Sequence, residues 1–334
     1  MNLEELSPRD LRMDKLQDIA KTAYFRCEAS PDRGAGHAIR CSVLADALSE
    51  KDWECSFVTS QETYDFIPAL SRFDRVNPDS FYENPPESDL LVVDHYDLNA
   101  SYEVHFRPYT KKILVIDDLA DRSHDCDILL DQTYGRNADD YRSLVPERCE
   151  ILTGSEYALL RPEFGKLRPK ALEKRKNTTE IKKILVTMGG SDAKNYTLEA
   201  LKLIKESGFK GSIDVVLGFS APHIDSVKAF AGEMPNQIIF HMNADMAQLM
   251  YEADLAIGAG GTSVLERCCL GLPQFIFQSA ENQSLNLKFF PSSNESFKRF
   301  YETVSSNYED YVKKTILVDS GGCKKILCFL SHGF

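Results

Sequence analysis

The sequence has 334 residues, of which 43% are hydrophobic, and it carries a formal net charge of −12 at pH 7. This length fits two domains of ordinary size, and the apolar content is sufficient for a sizeable core. The acidic balance argues against a dominant nucleic-acid-binding role, which requires a basic surface, but it is compatible with local phosphate binding by backbone amides.

Two further features of composition bear on location. No apolar run approaches the roughly 18 residues of a membrane-spanning helix, and residues 1–21 have the charges of an amphipathic extension rather than a secretory signal. The nine cysteines are scattered without a CxxC pair. We therefore expect a cytoplasmic protein with reduced thiols, without a disulfide framework and without a zinc site.

The first half of the chain predicts alternating strands and helices. Strands are expected at Thr22–Cys27, Cys55–Thr59, Leu90–Asp94, Lys112–Ile116 and Ile128–Asp131, and helices at Gly36–Glu50, Gln61–Ser71 and Asn99–Tyr109. Two of these strands are continuous apolar runs, which are typical of strands covered on both faces. The pattern predicts a Rossmann-like α/β domain over residues 22–160.

A charged segment, 161–182, is interpreted as an interdomain linker, and a second Rossmann-like domain is predicted over residues 183–334. Its strands are expected at Lys183–Met188, Ser212–Leu217, Gln237–His241, Asp254–Ile257 and Gln274–Gln278, and its helices at Lys194–Glu206, Ala221–Ala231, Asp245–Glu252 and Val264–Leu270. After Gln283 the pattern weakens to a helix at 282–290, a loop, a short strand at 318–322 and a closing helix at 323–330. Tandem α/β domains bind ligands in the cleft at the carboxyl ends of their strands.

The loop Gly34-Ala35-Gly36-His37 joins the first predicted strand to the first helix. Glycine permits positive φ and close approach of a ligand, and the N–H groups of the following helix point back at the loop. The pattern fits a polar or anionic ligand beside an imidazole, and it fits equally a tight turn with a surface histidine. Asp94 and Tyr96 end another buried strand, where Tyr96 is a candidate sugar contact and Asp94 a candidate to orient a base. Ordinary capping of the strand end is the alternative.

Two more glycine loops, 189–191 and 258–263, each lead from a strand into a helix of the second half. Their glycines leave space for a phosphate, and a carboxylate one turn into the second helix can accept hydrogen bonds from a ribose. The alternatives are plain turns with solvated side chains. The candidate binding residues in this half are Gly190, Asn195, Gly261, Thr262 and Glu266.

Acidic residues and a histidine follow the strand at 112–116, at Asp117, Asp118, His124, Asp125 and Asp127. Their spacing matches no known metal cage, and adjacent strand residues point to opposite faces. We expect no metal. The GxSxG nucleophile loop and the Walker A lysine loop are also absent from the sequence.

Taken together, the motifs resemble a known family, the UDP-2,4-diacetamido-2,4,6-trideoxy-β-L-altropyranose hydrolases of pseudaminic acid biosynthesis. The matching segments occur in family order over most of residues 22–283: FRCEAS, GAGHAIRC, VVDHYDL, ILVIDDLADRSHDCDILLDQ, GSEYALLRPEF, MGGSDAKN, MAQLMYEADLAIGAGGTSVLERCCLGLP and SAENQ. More distantly, the architecture is similar to the two-domain GT-B glycosyltransferases.

The resemblance implies a metal-independent reaction without a cofactor, in which water attacks the anomeric carbon and UDP leaves. It implies that His37 is the general base and that Asn195 and Glu266 contact the substrate, Glu266 at the ribose. On this view Gly34 and Gly36 make room for the sugar and the water. We expect a monomer that binds neither nucleic acid nor membrane.

Two departures from the family pattern keep other functions open. Glu28 stands where the family usually has aspartate, and the segment SLNLKFFPSSNESFKRF after Gln283 is atypical. The alternatives are a GT-B glycosyltransferase, in which an acceptor hydroxyl replaces water, and a catalytically idle UDP-sugar-binding protein.

Overall fold

The computed structural model describes residues 20–331 except 32, 191, 219, 220, 243 and 294. The predicted amphipathic extension lies outside the described residues apart from its last two positions. No helix in the described part of the chain has the length and apolar character needed to cross a membrane.

The first half forms one parallel sheet with helices on both faces. Its strands are β1 (Thr22–Cys27), β2 (Glu54–Val58), β3 (Asp74–Val76), β4 (Ser88–Asp94), β5 (Thr110–Ile116), β6 (Ile128–Asp131) and β7 (Glu150–Thr153), and its helices are α1 (Gly36–Ser49), α2 (Gln61–Phe66), α3 (Pro78–Glu83) and α4 (Ala100–Phe106). The strand order is β3-β2-β1-β4-β5-β6-β7. The order reverses between β1 and β4, so the loops after these strands border a natural ligand crevice.

Three elements of this half escaped prediction because they are short: β3, α3 and β7. The helix expected at Gln61–Ser71 is also wrong in extent, since α2 ends at Phe66 and a separate 3₁₀ turn covers Pro68–Arg72. Proline lacks the amide hydrogen and disfavours helical geometry in the residue before it, which explains the break.

The second half forms a smaller parallel sheet in the order β10-β9-β8-β11-β12. Its strands are β8 (Lys183–Thr187), β9 (Ser212–Val216), β10 (Ile238–His241), β11 (Leu255–Ala259) and β12 (Gln274–Phe277). Its helices are α5 (Pro162–Asn177), α6 (Tyr196–Ser207), α7 (Ile224–Gly232), α8 (Met246–Glu252), α9 (Ser263–Cys269), α10 (Phe297–Ser306), α11 (Tyr308–Thr315) and α12 (Gly322–Ser331). The predicted α/β class, with two Rossmann-like sheets, is confirmed.

The segment between the sheets is mostly the helix α5. Although the segment is rich in charges, α5 is anchored by three fully buried side chains, Phe164, Ala171 and Arg175. The Arg175 guanidinium donates to the carbonyls of Met250 and Ala253 at the end of α8. The placement of the domain boundary at 161–182 stays a prediction.

The chain after residue 283 differs most from expectation. Two 3₁₀ turns, at 281–283 and 286–288, replace the helix expected at 282–290, and residues 316–321 form a loop in place of the predicted strand. The backbone at 291–293 extends the second sheet, since Ile276 donates to Pro291 and accepts from Ser293. The helices α10 and α11 were not predicted.

The closing helix α12 returns to the first half. Ile326 and Leu330 are buried in the same apolar cluster as Leu44 and Leu48 of α1, and α12 packs against α1. Ile326 and Leu330 therefore stabilise the core of the first half, although they follow the second sheet in sequence.

Replacing Ile326 with alanine should destabilise the first core by about 2–5 kcal/mol, because the change leaves a cavity among buried side chains. Trp53 is the only tryptophan and packs against this core, so its fluorescence during urea unfolding reports the effect. The exposed position Lys324→Ala on the same helix is the control. Equal unfolding midpoints for the two variants would contradict the packing of α12 on the first core.

Candidate active site

The carboxyl ends of the two sheets face each other. Gly36, at the start of α1, lies so close to the second half that an added Cβ would be 3.3 Å from Thr262 Oγ1. The side chain of Asn282 donates to the Tyr96 hydroxyl at 2.7 Å. The glycine loops of the second half thus lie opposite the loop that carries His37.

His37, predicted as the base, is held by a buried carboxylate. Its Nδ1 lies 2.5 Å from Asp94 Oδ1 at the end of β4. Arg40, one turn further along α1, donates to both oxygens of Asp94 at 2.6 Å. Arg40 Nη2 also lies 3.2 Å from His37 Nδ1. This contact is not a hydrogen bond when both nitrogens carry hydrogen, because neither can then accept from the other. Because Asp94 is the acceptor, Nδ1 carries the proton, and Nε2 of the neutral ring is the basic nitrogen.

The surroundings of Asp94 favour its charged form. Burial alone would raise the pKa of this fully buried carboxyl, but Arg40 and His37 hold it well below its usual range. Burial likewise opposes the charge of Arg40, and Asp94 and Asp118 raise the pKa of its guanidinium well above the ordinary value. The pair is therefore ionised at neutral pH, and it provides a fixed negative partner for the imidazole.

Tyr96 connects this cluster to the second half. Its ring packs edge-on against His37, with centroids 4.4 Å apart. Its hydroxyl donates to Asp118 at 2.8 Å and accepts from Asn282. Burial, followed by the charge of Asp118, raises the pKa of the Tyr96 hydroxyl, so Tyr96 is a neutral donor in this network.

The glycines of the loops serve different purposes. Gly34 and Gly189 have φ values of +81° and +87°, a region that suits residues without a Cβ. Gly36 instead allows close approach to Thr262, whereas a Cβ at Gly261 would be in ordinary contact, 3.4 Å, with Gln283 Nε2. Gly190 lies opposite Phe66, whose ring would be 3.9 Å from an added Cβ. Because β8 and β11 are neighbours in the sheet, the loops that follow them lie side by side.

The remaining predicted residues lie around these loops. Glu266 is ion-paired through Oε1 with Arg161, 3.0 Å away. Asn195 is the N-cap of α6 in a left-handed conformation, and it donates to Ser226. Its Oδ1 is buried without a hydrogen-bond partner among the described residues, so it is available to accept a hydrogen bond. A role in binding stays a prediction for both residues.

The acidic residues after β5 are used in ion pairs. Asp117 pairs with Arg122, Asp118 with Arg40, and Asp125 with Arg107. Within the described ranges, no group of three or more metal-ligating side chains is arranged to hold a metal ion.

Sequence reasoning missed Arg40, Asp118 and Asn282. The sequence did contain a signal for Arg40. Arg40 follows His37 by three residues, and residues at this spacing lie on the same face of a helix. Asp118 was considered only as a metal ligand, and neither Asp118 nor Asn282 gave a local signal for its partner, since Arg40 and Tyr96 lie 78 and 186 residues away.

Comparison with known proteins identifies the family. The sequence is 30% identical over 252 residues to the UDP-2,4-diacetamido-2,4,6-trideoxy-β-L-altropyranose hydrolase of Campylobacter jejuni, an alignment that covers 74% of this chain and 87% of that protein. The chain belongs to this hydrolase family. It is also 27% identical over 281 residues to the spore coat polysaccharide biosynthesis protein SpsG of Bacillus subtilis, with 78% of each chain covered. No protein-family model matches the sequence.

The structure resembles that of MurG from Acinetobacter baumannii, with a TM-score of 0.66 at 12% identity over 93% of this chain and 99% of that one. Likeness at this identity concerns the fold alone. It confirms the GT-B architecture that the motifs implied.

Glu28, which the resemblance marks as a departure from the family pattern, has defined partners in the structure. The Glu28 carboxylate accepts hydrogen bonds from the Ser60 amide and hydroxyl and from the Thr63 hydroxyl, at the start of α2. Although burial opposes its charge, these hydroxyls and Arg26 lower the pKa of Glu28. The Glu28 side chain, one methylene longer than aspartate, therefore links the loop after β1 to the start of α2 by hydrogen bonds.

Replacing Asp94 with asparagine should lower the free energy of unfolding by about 3–5 kcal/mol at pH 7, because it leaves buried Arg40 without its main partner. The depressed pKa of Asp94 adds stability that is complete above the unfolded value of about 4 and is lost as pH falls below it. The difference in free energy of unfolding between wild type and Asp94→Asn should therefore become smaller at low pH.

Urea unfolding at pH 7 and in acid measures this dependence. The control is Asp97→Asn, which removes a solvent-exposed pair with Arg33 and should cost less than about 1 kcal/mol. A pH-independent difference for Asp94→Asn would contradict the assignment of Asp94 as the ionised partner.

Proposed function

We propose that this protein hydrolyses a UDP-sugar to UDP and the free sugar, with His37 as general base. The substrate we infer is UDP-2,4-diacetamido-2,4,6-trideoxy-β-L-altropyranose, as for the Campylobacter jejuni relative, and the pathway is pseudaminic acid biosynthesis. The observation that carries the proposal is the contact between His37 and ionised Asp94 at the edge of a cleft, opposite two glycine loops.

In this mechanism, Nε2 of His37 takes a proton from water as the water oxygen attacks the anomeric carbon. The bond between that carbon and the diphosphate oxygen breaks, and UDP leaves with the electron pair. Asp94 supports the step in two ways, since it holds Nδ1–H in one orientation and stabilises the imidazolium that forms. Among the described residues, no hydrogen-bonding partner occupies Nε2, which leaves it available to the water.

The second half would bind the UDP. Backbone N–H groups around Gly190, Gly261 and Thr262 are suited to meet the charge that develops on the leaving diphosphate. Glu266 would hold the ribose hydroxyls through Oε2, because Oε1 already accepts from Arg161. Asn195, with its unpaired Oδ1, would accept a hydrogen bond from the substrate. We further propose that the protein acts as a cytoplasmic monomer.

The direct test is incubation of the purified protein with the UDP-sugar and EDTA, without an acceptor. Release of UDP together with free sugar supports a metal-independent hydrolase. Release that requires an added acceptor would identify a glycosyltransferase instead, and binding of UDP without turnover would identify a binding protein. Either result would overturn the proposal.

His37→Asn should reduce turnover by roughly 10²–10⁴-fold, the usual contribution of a general base, and should leave UDP affinity within about twofold. Initial rates and calorimetry separate the two effects. His105→Asn, which replaces a histidine stacked on Tyr82 outside the cleft, is the matched control. Near-normal turnover of His37→Asn would end the general-base assignment.

Glu266→Ala should weaken binding of both uridine and UDP by about tenfold, because a charge-assisted hydrogen bond to the ribose is lost. Glu163→Ala is the control, since Glu163 also pairs with Arg161 but is more exposed. Unchanged uridine affinity of Glu266→Ala in calorimetry would remove the ribose role.

A further inference from the structure

A third buried arginine, Arg267 on α9, lies beneath the loop 258–263. It is fully buried. Its Nη2 donates to the Ala259 carbonyl at 2.7 Å, its Nη1 to the Ser263 hydroxyl at 3.3 Å, and its Nε to Gln274 at 2.6 Å. The guanidinium therefore contacts both ends of the loop from below.

All of these partners are neutral. Among the described residues, no carboxylate lies within ion-pair distance of Arg267, and the adjacent Glu266 pairs with Arg161. Arg40 differs in this respect, because it is equally buried but contacts two carboxylates. A buried charge without a contacting counter-ion is costly. Arg175 is also buried with only carbonyl partners, but these end α8, where the helix dipole is negative, whereas the Arg267 guanidinium contacts Ser263, where α9 begins. The charge of Glu266 acts on Arg267 only from beyond ion-pair distance.

The guanidinium remains charged in spite of its burial. Burial lowers the pKa of Arg267 to about 10, which is still well above neutral. Glycine at position 258 leaves room for the guanidinium. A Cβ there would be 2.4 Å from Arg267 Nη1 and 2.7 Å from the Thr187 carbonyl. Above the guanidinium, residues 261–263 are half-exposed and are the part of the loop that a ligand can reach.

We propose that Arg267 is a positioning residue for the ligand's diphosphate, and that the diphosphate supplies its missing counter-charge across the loop. The inference rests on the proposed function, since it assumes that a nucleoside diphosphate binds at this loop. Arg267 does not need to touch the ligand. Its charge acts through a poorly screened layer of protein, where electrostatic interactions are stronger than in water, and its hydrogen bonds hold Ala259 and Ser263 in place.

A purely structural role would predict the same contacts, so the test must change the charge and preserve the packing. Gln274→Glu keeps the shape of the side chain and places a carboxylate where the amide oxygen now accepts from Arg267 Nε. It gives up only the contacts of Nε2 with the Val264 carbonyl and Cys268 Sγ. The new carboxylate should form an ion pair with Arg267 and thereby weaken the positive electrostatic potential at the loop. Cys268→Ala, which alters a fully buried neighbour of Gln274 without changing charge, is the packing control.

Calorimetry at low salt measures the affinities for UDP and for uridine, and the ratio of these two affinities decides between the hypotheses. We expect Gln274→Glu to weaken UDP binding by about tenfold and to leave uridine binding within twofold, since only UDP carries the diphosphate. Cys268→Ala should leave both affinities within twofold. Arg267→Lys, which keeps the positive charge, should retain most of the wild-type preference for UDP over uridine.

The outcomes separate the two hypotheses. If wild type binds UDP and uridine, and a Gln274→Glu variant with wild-type Tm binds UDP equally well, the inference about Arg267 is overturned and the proposed function stands. A parallel loss of UDP and uridine affinity would also overturn it, because that pattern indicates a structural effect. If wild type binds neither ligand, the proposed function fails and this inference fails with it.

Discussion

The buried ion pair between Asp94 and Arg40 is the interaction on which the candidate active site depends. The carboxylate lies at the end of β4 and the guanidinium on α1. Because Asp94 also contacts His37 Nδ1, the pair fixes the orientation of the His37 ring. Breaking such a pair leaves an uncompensated buried charge, which is far more costly than losing a surface pair. The same contacts therefore stabilise the first sheet and determine which nitrogen of the imidazole is available for chemistry.

The rest of the cleft is built around this pair. Asp118 joins it from the end of β5, and Tyr96 bridges from Asp118 to Asn282 in the second half. Parallel strands bring their carboxyl ends to one edge of a sheet, so residues from separate loops meet without any long insertion. The hydrogen bond between Tyr96 and Asn282 then connects the cluster around His37 to the half of the molecule that carries the glycine loops.

Three buried arginines show how differently the same side chain is used. Arg40 neutralises carboxylates in the site, and Arg175 caps the end of α8 with hydrogen bonds to carbonyls. Arg175 and Arg267 both have only neutral partners among the described residues, but those of Arg175 end α8, where the helix dipole is negative. The Arg267 guanidinium instead contacts Ser263, where α9 begins, beneath a loop that faces the cleft, which is why we connect it with an anionic ligand.

The sequence by itself determined the α/β class, most strands of both sheets and the glycine loops that we propose as binding sites, because apolar runs and glycine turns are local patterns. It also marked His37, Tyr96 and Asp94 as residues at strand ends and loops. Only the tertiary structure decided that Asp94 contacts His37, that Asn282 reaches Tyr96 and that α12 returns to the first core. These contacts join residues 57 and 186 positions apart, and a single sequence carries no local signal for partners at such separations. The role of Glu28 was decided in the same way, because its hydrogen bonds to Ser60 and Thr63 exist only once α2 packs beside β1.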